Sequence, residues 1–98
     1  MQPVKRIEII GNSRDLGKVA GLLEKLGITT YAVIRDVVGR DDRGSEVTDD
    51  ELTGVLKNSC LVTTCAPADL PRIIEAIRAV LVQRGGTCLV SDAWYVIH

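Results

Sequence analysis

Ninety-eight residues, 46% hydrophobic and 26% charged, bound one globular domain near the lower size at which a single apolar core suffices. A net charge of −1 excludes a basic nucleic-acid binder, and no stretch approaches the roughly 18 apolar residues of a membrane-spanning helix. Three cysteines and one histidine are too few for a disulfide scaffold and leave no metal site to expect.

The opening Met1-Gln2-Pro3-Val4-Lys5-Arg6 lacks a signal-peptide core, so the cytoplasm is the expected compartment. Val4 to Ile10 predicts a first strand, with Ile7 and Ile9 on one face and Glu8 on the other. Asn12 and Ser13, after Gly11, are turn and N-cap candidates. Leu16, Val19, Ala20, Leu23 and Leu26 recur at helical spacing, and Gly27 stands where a helix-ending glycine belongs. Gly17 and Gly21 cost that helix about 1 kcal/mol each relative to alanine; close packing on a sheet is the expected reason. Thr29 to Val38 is β-branched and aromatic, as a half-buried second strand should be.

Gly39-Arg40-Asp41-Asp42-Arg43-Gly44 breaks that pattern and opens a charged loop that runs to Lys57. From Arg35 to Glu51 three arginines meet seven carboxylates, a local charge of −4, which again argues against nucleic acid as a partner. Inside the loop Thr48-Asp49-Asp50-Glu51 has the form of a capping box, followed at helical spacing by Leu52, Val55 and Leu56.

Cys60 to Cys65 reads as the third strand, and its two cysteines, five apart, belong on opposite faces. Asp69 is a cap candidate for a second helix with an apolar stripe of Leu70, Ile73, Ile74, Ile77, Val80 and Leu81. Gly85-Gly86 ends it, and Thr87 to Ile97, carrying Trp94 and Tyr95, predicts the fourth strand. The order β-α-β-β-α-β defines an α+β, ferredoxin-like sandwich, with two helices on one face of a four-stranded antiparallel sheet. Tyr31, Val33, Leu61, Leu89 and Val96 give both sheet faces apolar content, so a closed cyclic oligomer is expected to cover the second face.

Taken in that order, Lys5-Arg6-Ile7-Glu8-Ile9-Ile10 resembles the opening strand of the PII signal-transduction proteins and their PII-like relatives. Leu22-Leu23-Glu24-Lys25-Leu26-Gly27-Ile28-Thr29 resembles their first helix exit. Val38-Gly39-Arg40-Asp41-Asp42-Arg43-Gly44 is similar to the entry of their mobile T-loop, and Ile74-Glu75-Ala76-Ile77 to their second helix. The resemblance covers nearly the whole chain, as one domain over 1–98 with a T-loop at about 39–57.

It implies a homotrimer that binds adenine nucleotides in the clefts between neighbours. Gly27, Ile28, Thr29, Val62 and Thr64 fall where the family surrounds the adenine, and Gly39 and Arg40 beside the phosphates. Gly85, Gly86 and Thr87 correspond to a glycine-rich phosphate loop, and His98 lies near the first basic position of a C-terminal phosphate-binding segment. Glycines let backbone N–H groups approach a phosphate that an arginine neutralises, although Gly85-Gly86 read without the resemblance is a plain helix stop.

Thr87 stands where the family carries a lysine, which implies ADP or AMP rather than ATP. The T-loop is short and has no tyrosine, so a nucleotidylation switch is not expected. These departures resemble the divergent branch linked to carboxysomes and bicarbonate transport. That branch implies bicarbonate as a second ligand, held by Gly39, Arg40 and Lys57, and a transporter or carboxysome-related protein as the T-loop's target. A CutA-like trimeric interaction module without nucleotide sensing is the alternative. An enzyme is not expected: Gly11-Asn12-Ser13-Arg14 loosely echoes the acylphosphatase loop, but the second strand offers no asparagine to place a water.

Overall fold

The computed structural model describes residues 1–37, 39–40, 46–47 and 58–98, with backbone alone at 39–40 and 46–47. The alternation at Ile7 and Ile9 does build a strand. β1, Gln2–Asn12, runs two residues beyond the expected limits at each end, because its first residues pair with β6 and its last with β5, beyond a middle paired on both sides. Ladder hydrogen bonds need no apolar side chain, so hydrophobic alternation under-reads such a strand.

Asn12 then starts α1, Ser13–Lys25, its side-chain oxygen accepting from the Arg14 N–H at 2.8 Å. The helix stops at Gly27, whose φ of 92° is left-handed. Ile28 N–H donates to the Leu23 carbonyl at 2.9 Å and Gly27 N–H to that of Glu24 at 3.1 Å, the paired bonds of a Schellman motif. β2 is only Tyr31–Arg35, shorter than the Thr29–Val38 run predicts. Asp36, at φ 60°, turns the chain out of extended conformation.

β3, Gly39–Arg40, pairs antiparallel with β4, Glu46–Val47. Arg43, Lys57 and the helical turn expected at Thr48 to Leu56 lie outside the described residues. β5 is Asn58–Cys65, followed by a short 3-10 turn over Pro67–Asp69 and by α2, Leu70–Arg84. Asp69 does not cap α2 as expected. Its backbone is already helical (φ −88°, ψ −12°), and its carboxylate turns to Arg72, 3.5 Å away. Gly85, at φ 82°, ends α2 and donates its N–H to the Leu81 carbonyl at 2.7 Å. β6 is Thr87–Tyr95, stopping two residues before Ile97.

The sheet order is β2-β5-β1-β6 with every pairing antiparallel, which is the ferredoxin-like arrangement. Ile7, Ile9, Leu61 and Cys65 on one face meet Leu16, Val19, Leu23, Ile73 and Ile77 of the helices in the core. Among the described residues two polar side chains are buried, and both are bonded. Ser59 Oγ lies 2.6 Å from Ser13 Oγ, and Thr63 Oγ1 donates to the Thr30 carbonyl at 2.8 Å.

Of the residues expected to make both sheet faces apolar, the register places Tyr31, Val33 and Leu61 on the helix side and Leu89 on the other; Val96 is past the strand. That open face carries Ile10, Ile34, Cys60, Val62 and Leu89 around an Arg6–Glu8 pair at 3.1 Å. Ile34 is 55% and Leu89 57% exposed. Close packing does not explain Gly17 and Gly21, since a Cβ on either would meet nothing within 4 Å. Among the described residues no helix is long and apolar enough to cross a membrane, and no group of side chains is arranged to hold a metal ion.

Candidate functional site

The Schellman exit of α1 does more than end a helix. It lays Gly27, Ile28 and Thr29 along one wall of an open groove of 350 Å³, within the roughly 300–1,000 Å³ of small-molecule sites. The end of β5 at Thr64, the start of β1 at Gln2 and Val4, and Tyr95 of β6 form the opposite side. Arg72 holds the first wall in place. One guanidinium nitrogen donates to the Leu26 carbonyl at 3.3 Å, while the other pairs with Asp69. On the second side Thr64 Oγ1 donates to the Tyr95 hydroxyl at 2.8 Å.

Four of the residues singled out from the sequence thus line one groove: Gly27, Ile28, Thr29 and Thr64. Val62 lies on the same sheet face, two residues earlier on β5, but does not line it. Gly85, Gly86 and Thr87 sit elsewhere. Thr87 pairs with Ile10, whereas Thr64 pairs with Arg6, a separation of about 13 Å along β1 at strand rise. Gly39 and Arg40 belong to that far end as well, since β2 runs from Tyr31 opposite Thr63 to Arg35 opposite Ser59 before reaching them. His98 is exposed, three residues past β6 at the groove end.

Gly86 is wedged against β1. A Cβ there would lie 2.9 Å from the Ile10 carbonyl oxygen and 3.2 Å from Leu81 Cδ2. The turn therefore presents bare backbone beside Gly11, as a phosphate-approaching loop requires and as a helix stop also would.

Cys65 forms part of the groove floor, yet burial pushes its thiol up, helped by Asp69 and opposed by Arg72 and Lys5. Cys60 and Cys88 are raised by burial too, Cys60 further by Glu8. Each thiol is therefore a weaker nucleophile than a free cysteine. A second groove of 490 Å³ between α1 and β2 is lined by residues including Gly17, Val33 and Arg35 and holds none of the predicted residues.

Sequence reasoning missed Arg72 and Tyr95. Arg72 sits three residues after Asp69, a spacing that signals a helix-surface pair, but nothing local links it to Leu26. Tyr95, one of three aromatic residues in the chain, was visible only as a strand residue.

The sequence pattern of the family described as Nitrogen regulatory protein P-II fits residues 4–97. The chain belongs to that family. No curated protein matches it in sequence. Among solved structures, CPII, a PII-like protein from Thiomonas intermedia K12 bound to ADP, AMP and bicarbonate, superposes with a TM-score of 0.83 at 16% identity. The match covers 95% of this chain and 88% of CPII. A Thermus thermophilus protein described as PII-like gives 0.73 at 18% identity, over 97% of this chain and 90% of the other. The GlnK–ATP complex of B. subtilis gives 0.65 at 16%, over 95% and 84%. At these identities the likeness is one of fold.

Proposed function

We propose that this chain is a cytoplasmic homotrimeric sensor that binds ADP or AMP, with bicarbonate, in clefts between subunits. One observation carries the reading. The residues matched to nucleotide binding divide between the two ends of one sheet, with a groove at one end and bare glycine backbone at the other. A ligand touched by both sets needs the groove of one subunit beside the glycine turn of its neighbour.

In this reading Gly27, Ile28, Thr29, Val62 and Thr64 surround the base, while Gly85, Gly86, Thr87, Gly39, Arg40 and His98 face the phosphates. Bicarbonate sits at Gly39, Arg40 and Lys57, at the root of the loop over about 39–57. Filling the site changes the order of that loop, which then accepts or releases a target protein, a bicarbonate transporter or carboxysome component. CPII of Thiomonas intermedia, bound to ADP, AMP and bicarbonate, supports the ligand set. No residue acts as a catalyst in this scheme.

Calorimetric titration with ADP, AMP and ATP, each with and without bicarbonate, on protein of measured solution mass tests the proposal. Saturable binding of ADP or AMP that tightens with bicarbonate is expected, since coupling between two ligands is reciprocal. Arg40→Ala should weaken nucleotide binding about 10- to 150-fold, the loss of a hydrogen bond to a charged group, with the trimer intact. An intact trimer that binds no nucleotide would overturn the proposal in favour of a CutA-like interaction module.

A further inference from the structure

Tyr95 reaches across the sheet. It stands on β6 opposite Gln2, and its hydroxyl is held by Thr64 on β5, opposite Arg6. The line between them passes the row of Val4, which is only 6% exposed although none of the described helices covers that face. Tyr95 itself remains 49% exposed and lines the groove. It is the one aromatic side chain among the described residues of that groove. Its ring is thus tied at the far end and open to the ligand space.

Resting on the reading of the groove as the base-binding half of a nucleotide site, we infer that Tyr95 is the platform on which the purine stacks. A purine's flat face gains most from a ring already fixed in position, because no side-chain freedom is lost on binding. The bond to Thr64 supplies that fixation. Thr64 is then a positioning residue for the ring as well as a wall of the site. The remaining lining offers aliphatic and small polar groups, with Arg72 and Asp69 engaged with each other, so stacking elsewhere in the groove has no partner.

The test is ADP titration of the parent, Tyr95→Phe and Tyr95→Leu as assembled proteins, with NMR of the Tyr95 ring protons in the parent. Tyr95→Phe should bind ADP within about threefold of the parent. Tyr95→Leu should bind about 5- to 150-fold more weakly, the loss expected for one base stacked on one aromatic ring, and ADP should move the parent's ring protons upfield. Equal binding by Tyr95→Leu and the parent would overturn the inference. So would an unshifted ring in saturated parent, a readout independent of whether Tyr95→Leu folds. A loss in Tyr95→Phe as large as in Tyr95→Leu would assign the role to the hydroxyl instead and likewise overturn it. A parent that binds no adenine nucleotide would overturn the functional reading itself, and this inference with it.

Discussion

Gly86 is required by two separate constraints. Its φ of 111° is a conformation that side-chain-bearing residues rarely adopt, and the space where a Cβ would go is closed by the Ile10 carbonyl at 2.9 Å. Gly86→Ala should therefore destabilise the fold by about 1–3 kcal/mol, seen as a lower urea midpoint at unchanged slope. It follows that a bulky replacement at Gly86 cannot test phosphate approach alone, because it damages the turn whether or not a ligand is present. Arg40 is the cleaner probe. Tyr95 and Arg72 make the complementary point at the same scale: each acts through one bond to a distant part of the chain, Thr64 and Leu26.

At the scale of elements, the helix α1 carries two glycines that the fold does not use. Both are helical, and an added Cβ would meet nothing within 4 Å. Gly17→Ala and Gly21→Ala are each expected to raise stability by about 1 kcal/mol, read as a higher denaturation midpoint. A loss of stability would mean that something in the assembled protein approaches that face. The limits of α1 were legible in the sequence because their causes are local: Asn12 caps the first turn, and Gly27 takes the left-handed position at the end. The end of β2 was not, since the β-branched run continues to Val38 while the chain turns at Asp36. Asp69 misled for a similar reason, because the 3-10 turn over Pro67–Asp69 had already placed it in helical conformation. The glycine-bearing parts of the candidate site came from the family resemblance. The groove that joins Gly27 to Thr64 and Tyr95 brings together segments far apart in the chain, and no local pattern announces such a meeting.

For the molecule as a whole, the decisive feature is a sheet that the described helices cover on one side only. Leu89 and Ile34 are more than half exposed on the other side, and a chain of this size has little other core to draw on. Covering that face is the role assigned to neighbouring subunits. The two cysteines of β5 then become separate clocks. Cys65 belongs to the core beneath the helices, while Cys60 lies on the open face beside the short edge strand β2. Peeling of β2 suffices to uncover Cys60, whereas Cys65 is reached along the floor of the groove. Association over the sheet should therefore slow alkylation of Cys60 as protein concentration rises, an outcome that peptide mass analysis after timed labelling checks. A Cys60 rate that stays the same across a dilution series in which the measured mass falls to that of the monomer would show that no second copy closes over the sheet. Closure of the open sheet face and filling of the groove are in this chain timed by different sulfur atoms.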